Sequence, residues 1–160
     1  MANEWDIVIR KVNEAIRSDK AVRIAINSVL AAQKQRIFVQ GKDGNNAQIG
    51  QYSTNPISIS RKNQVRDTGK TVFKGGYAEY KSAIGRNPGF VNLQHTSQMF
   101  QDYSFHVLGN GVYGLGFHNA VNYNKSQWME EKYNKDIFTQ TNQEGELLTK
   151  IIEAELGKDL

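Results

Sequence analysis

Three histidines, one pair of adjacent glutamates and two glycine-bearing signatures are the residues whose types and spacing suggest chemistry. His95, His106 and His118 are the only imidazoles among 160 residues, and cysteine is absent. Neither His106 nor His118 has an Asp or Glu at a ligand-like spacing, and strand pairing about Asn110-Gly111 puts the two on opposite faces. They read as partly buried, hydrogen-bonded histidines, not as a metal site. Glu130 and Glu131 point about 100° apart on a helix, which makes a solvated face and not an acid/base pair. Gly109-x-Gly111-x-x-Gly114 has dinucleotide-fingerprint spacing, but that motif needs a following helix aimed at pyrophosphate, and here a strand follows. Gly69-Lys70-Thr71 ends like a phosphate-binding loop, yet Gln64 stands where the leading glycine belongs. No nucleophile elbow surrounds any serine. These residues predict no catalysis, no cofactor and no metal.

The elements that would hold such residues centre on a hairpin over 102–118. Asn110-Gly111 between two apolar-rich runs is a type I′ turn signal, since both central residues need positive φ. Pairing outward sets Val107 against Gly114, His106 against Leu115 and Phe105 against Gly116. One face then carries Ser104, His106, Leu108, Tyr113, Leu115 and Phe117, the other Tyr103, Phe105 and Val107 over glycines. A two-stranded ribbon apolar on both faces needs cover from helices, strands or another subunit.

N-terminal to it, Asn3 caps a first helix with Trp5, Val8, Val12, Ala15 and Ile16 on one stripe. Ser18 or Asp19 restarts a second, with Val22, Ala25, Ile26, Val29 and Ala32, so the two form a helical hairpin. Ile37-Phe38-Val39 looks β-like and Gly41 ends the run. Residues 41–76 are polar, basic and Gly/Asn-rich, the composition either of a long extended arm, carrying a short strand at 56–60 or a hairpin and ordered only by a partner, or of a floppy loop in the monomer. Beyond it, Tyr77–Ile84 forms a short helix closed by Gly85, and Thr96 caps a turn holding Met99 and Phe100. Asn119 or Asn122 caps a helix to Tyr133 in which Tyr123, Trp128 and Met129 are available to pack. Ile137-Phe138 is an isolated apolar pair. Thr141 and Glu144 form a capping box opening a last helix with Leu147, Leu148, Ile151, Ile152 and Leu156 as its stripe. The expected architecture is α+β: one domain with N-terminal helices over 1–39, a basic arm over 41–76, and the hairpin with C-terminal helices over 77–160.

Charge is uneven along the chain. Residues 34–74 hold eight Lys/Arg against two Asp, a net of +6, while 129–160 hold four Lys against eight acids, a net of −4. Such asymmetry serves polyanion binding or the stacking of one copy on the next. The aromatics Tyr52, Phe73, Tyr77 and Tyr80 within or beside the basic arm fit a nucleic-acid surface, with rings on bases and cations on phosphates. They fit anchors of a subunit contact better. No apolar run approaches the roughly 18 residues that span a bilayer. Glu4 and Asp6 stand where a signal peptide carries a basic flank, so the expectation is a protein made and kept inside a cell.

The spacing of Tyr77…Tyr80-Lys81, Val91-Asn92-Leu93, Thr96-Ser97-x-Met99 and the glycine-rich hairpin 105–117 carries a family likeness. It continues in Ala120…Tyr123-Asn124, Glu131-Lys132-Tyr133 and Ile137-Phe138-x-x-Thr141-x-x-Glu144. Over residues 77 to 155, roughly half the chain, this resembles the tail-completion or virion-morphogenesis family of tailed bacteriophages, which includes neck and head–tail connector proteins. The chain has Thr96-Ser97 where the family usually shows Thr-Gly, and it lacks a Pro/Arg-containing segment. The resemblance implies a non-catalytic α+β subunit assembled into a homo-oligomeric ring between portal or adaptor and tail. The virion would be its location, after assembly in the host cytoplasm. Within that reading Ile57, Ile59, Tyr77 and Tyr80 are the expected subunit contacts, the arm adding a strand to a neighbour's sheet edge. Arg61, Lys62, Arg66, Lys70 and Lys74 are the expected contacts to passing DNA or an acidic partner. The alternative is a small intracellular nucleic-acid-binding protein using residues 34–74.

Overall fold

A computed structural model describes residues 4–60, 69–109 and 111–157. Among them the chain is α+β, with five α-helices and two separate antiparallel two-stranded ribbons. The expected cap Asn3 and turn residue Asn110 lie outside the described residues, as do the side chains of Trp5, Val8, Val12 and Ala15.

The N-terminal third is one helix, α1 (Glu4–Lys34), where two were expected. Asp19 reads as a restart cap, but its carboxylate is spent otherwise. One oxygen accepts from Arg23 Nε at 2.7 Å, four residues on, and the other accepts from the hydroxyl of Tyr113. With no bond offered back to the backbone, the helix runs through. Ala21, Ala25, Val29 and Gln33 form its buried stripe at a spacing of four. The last helix, α5 (Asn142–Gly157), packs along α1.

The β-like run after α1 is instead a π-helical turn, Gln35–Val39, closed by Gln40 N–H donating to Gln35 O at 3.0 Å. This wider turn buries Arg36, Ile37 and Phe38 in succession, which no alternating strand does. Full burial of Ile37 and of Phe38 contributes roughly 2 kcal/mol each. Phe38 meets Phe100 edge-on at 5.7 Å and Tyr103 at 6.1 Å in a core completed by Ile49, Val91, Met99 and Ile137. Ile137 is thus no isolated turn residue but a fully buried one. Gly41 ends the turn at φ +65°, and a Cβ there would stand 2.4 Å from Val91 O.

The expected extended arm resolves into two unlike parts. Residues 41–52 belong to the body: Lys42 bridges Gln48, Ile49 is buried, and Val91 N–H donates to Gly50 O at 2.8 Å. Buried Asp43 accepts from the backbone N–H of Asn45 and Ala47 and pairs with Lys135 Nζ at 3.0 Å. Only the remainder forms a separate ribbon, β1 (Ile57–Ser60) paired with β2 (Lys70–Phe73). Ile57 opposes Phe73 and Ile59 opposes Thr71 on its half-buried face, while Val72 stands 61% exposed on the other. The expected strand at 56–60 is therefore present, with a partner in the same chain.

The central hairpin, β3 (Tyr103–Gly109) with β4 (Val112–Phe117), forms where expected but one residue out of register. Tyr103 faces Phe117, Phe105 faces Leu115 and Val107 faces Tyr113, because Leu108 bulges out between Val107 and Gly109. A slip of one residue transfers one strand's side chains to the opposite face. Tyr103, Phe105, Val107, Tyr113, Leu115 and Phe117 share one apolar side; Ser104, His106, Gly114 and Gly116 share the other. The ribbon is not apolar on both faces, and the chain's own core covers Tyr103, Leu115 and Phe117.

The remaining helices are α2 (Gly76–Ala83), α3 (Gln98–Asp102) and α4 (Ala120–Tyr133). Ser97, not Thr96, stands at the N-cap of α3, at φ +61°. Asn119 caps α4 by accepting from Val121 N–H at 2.8 Å. Of the α4 residues expected to pack, Met129 does, but Tyr123 and Trp128 are more than half exposed. The capping box of α5 is complete, Glu144 N–H on Thr141 Oγ1 and Thr141 N–H on Glu144 Oε2.

Candidate functional site: an aromatic cavity over a buried lysine

Helix α2 puts Tyr77, Tyr80 and Lys81 on one face, since positions three and four apart are neighbours on a helix. The helix begins at Gly76, where φ is +72° and a Cβ would lie 2.5 Å from the carbonyl oxygens of Ser53 and Asn55. This close crossing, with Ala78 N–H donating to Ser53 O at 3.2 Å, brings Tyr52 beside α2. The rings form a continuous chain: Tyr52 to Tyr77 at 5.3 Å, Tyr77 to Tyr80 at 5.5 Å, and Tyr80 to Phe73 at 5.4 Å. The Tyr80 hydroxyl lies 2.9 Å from His95 Nε2. Phe73 is thereby the hinge on which the β1–β2 ribbon meets the body.

Behind this chain sits Lys81, only 1% exposed. Its ammonium donates to the carbonyl of Gln94 and lies 5.0 Å from the Tyr52 ring centroid. Burial and then Arg86 push its pKa down. Burial also pushes the Tyr52 hydroxyl up to about 12. Between α2, the 93–95 segment and α4 opens a cavity of about 340 Å³, roofed by Trp128, Lys132 and Tyr133. Lys132 Nζ stands 4.8 Å over the Trp128 ring. At the exposed rim, partial burial and then Lys81, Arg86 and Lys125 hold the His95 imidazole below its ordinary range. Among the described residues no acidic one lines the cavity.

The expected contact residues are thus brought partly together. Tyr77 and Tyr80 meet each other, and Ile57 and Ile59 lie on the half-buried face of the ribbon that Phe73 ties to Tyr80. Lys70 and Lys74 are exposed, whereas Arg61, Lys62 and Arg66 lie outside the described residues. Sequence reasoning missed Lys81, His95, Lys132 and the exposed Trp128 as a group. Tyr77/Lys81 and Trp128/Lys132 at a spacing of four were the signal available.

A second cluster corrects the expectation for the histidines. With the true register His106 and His118 share a face, their ring centroids 4.0 Å apart, and His106 Nε2 is buried with no hydrogen-bond partner among the described residues. Nearby Asp102 accepts from Asn119 N–H and from Asn122 Nδ2. Burial pushes its carboxyl up, but the bonds from Asn122 and Asn119 outweigh this and hold it below the usual range. Among the described residues no three His, Asp or Glu side chains gather as a metal site would need.

Compared with known proteins, the chain matches no family model, no curated protein and no solved structure.

Proposed function

We propose that this chain is a structural assembly subunit, a tail-completion or head–tail connector protein of a tailed phage that joins sister copies in a ring between portal and tail. The observation that carries the reading is the β1–β2 ribbon. Among the described residues it has two strands only, so no third strand pairs with either outer edge, and it presents Val72 to solvent. Strand addition by a neighbour supplies backbone hydrogen bonds for affinity and leaves the alternating Ile57 and Ile59 to define register. The likeness over residues 77–155 to the tail-completion family supports the same reading. Among the described residues no helix is long and apolar enough to cross a membrane.

Size-exclusion chromatography with light scattering, alone and after mixing with portal or tail proteins, tests the reading. The expected result is a defined assembly in at least one mixture, lost in Val72→Asp with the circular dichroism unchanged. A chain that stays monomeric with both partners, and binds duplex DNA with steep salt dependence, overturns it in favour of nucleic-acid binding through residues 34–74. The segment to delete is the ribbon at 57–73. Removing all of 41–74 would also take out the core residue Ile49 and so unfold the body.

A further inference from the structure

We propose that the cavity over Lys81 is a binding site for a small organic anion carried on a flat ring, the chemistry shared by a mononucleotide and an aromatic carboxylate. This goes beyond the ring-subunit reading and does not depend on it.

The anion follows from charge. Lysine is almost never fully buried unless paired. Lys81 is 1% exposed and has one carbonyl and one aromatic face for company, with no carboxylate in the cavity wall. Lys132 adds a second ammonium at the roof. A cavity lined by two lysines and, among the described residues, by no acid gains free energy when a carboxylate or phosphate enters, and the ammonium of Lys81 gains a charged partner in low dielectric.

The flat ring follows from the walls. Four aromatic side chains line the cavity, Tyr52, Tyr77, Trp128 and Tyr133, together with the apolar Leu93 and Met129. Trp128 is 55% exposed, an unusual place for so large an apolar surface on a helix that buries Asn122 and Ser126. Rings stack on such faces regardless of base or substituent identity. A volume of about 340 Å³ lies within the range that takes small organic ligands.

Trp5 and Trp128 are the only tryptophans, so Trp5→Phe leaves Trp128 as the sole indole emitter in the full chain. Thymidine monophosphate and 2-naphthoate are the anionic probes; thymidine and 2-naphthamide are their neutral counterparts. The expected result is a saturable change in Trp128 emission with an anionic probe, at least about tenfold tighter than its neutral counterpart. Which of the two anions binds tighter assigns the source as nucleotide or carboxylate. Lys81→Met should weaken the anion by about tenfold or more and leave the neutral probe unchanged. Should that variant fail to fold, Lys132→Gln read by calorimetry must weaken the anion selectively. Equal binding of charged and neutral probes, no saturation at millimolar probe, or anion affinity indifferent to the lysine substitution overturns the proposal.

Discussion

Two regions of this molecule bury a cation, and they do so in opposite ways. At the junction of α1 and α5, Arg36 donates to Glu144 Oε1 at 2.8 Å and to the carbonyls of Lys42, Ile137 and Thr139. Gln33 joins the same carboxylate and accepts from the buried Tyr103 hydroxyl at 2.6 Å. Every part of the guanidinium fork is answered from within the chain, and nothing is left to bind. At α2, Lys81 is as deeply buried but has a carbonyl and a ring in place of a carboxylate. The first arrangement is a clasp that holds distant segments; the second is a charge waiting for its counterpart. The difference is one of satisfaction and not of depth.

The largest effect that separates them is on stability. Arg36→Met should cost about 3–5 kcal/mol in urea unfolding, because it strands Glu144 as an uncompensated buried anion. A loss under 1 kcal/mol would mean that the clasp is not closed. Thr141→Ala removes the hydroxyl from the capping box at the same junction and should cost about 1 kcal/mol by the same measurement. Acidification should then discriminate by position. His95 titrates in the folded state below its ordinary 6.5, so the unfolded chain binds more protons in the window just below pH 6.5. Stability therefore falls as pH drops through that window, and His95→Gln should flatten the thermal-midpoint profile there, whereas Thr141→Ala should shift it evenly. The smallest effect belongs to Lys81→Met. Replacing an unpaired buried ammonium by an apolar chain of similar shape should be neutral or slightly stabilising. A large loss of stability would show Lys81 to be a structural clasp like Arg36.

Covering the ribbons is another point on which the regions differ. The β3–β4 hairpin is covered by the core of its own chain at Tyr103, Leu115 and Phe117, while Val107 and Val112 near its turn stay more than half exposed. The β1–β2 ribbon meets α2 through Phe73 and Tyr80, and among the described residues no third strand pairs with either of its edges. Of the two places where the sequence asks for a sister copy, the arm strand with Ile57 and Ile59 keeps the stronger claim, because the base of the central hairpin is covered by its own chain.

What the sequence by itself determined is what neighbouring residues decide among themselves. The Thr141/Glu144 capping box, the Asn119 cap and the closure of α2 at Gly85 all depend on groups within a few residues, and all were legible. Tertiary structure decided everything that turns on a distant partner. Asp19 continues a helix because Arg23 and Tyr113 take its oxygens, and residues 35–39 widen into a π turn because Arg36 meets Glu144 across 108 positions. A single bulged leucine exchanged the faces of a whole strand and brought two histidines together. The lysine cavity was illegible for the same reason: Tyr52, Lys81, His95 and Trp128 lie on four separate segments, and no spacing along one chain reports where four segments meet.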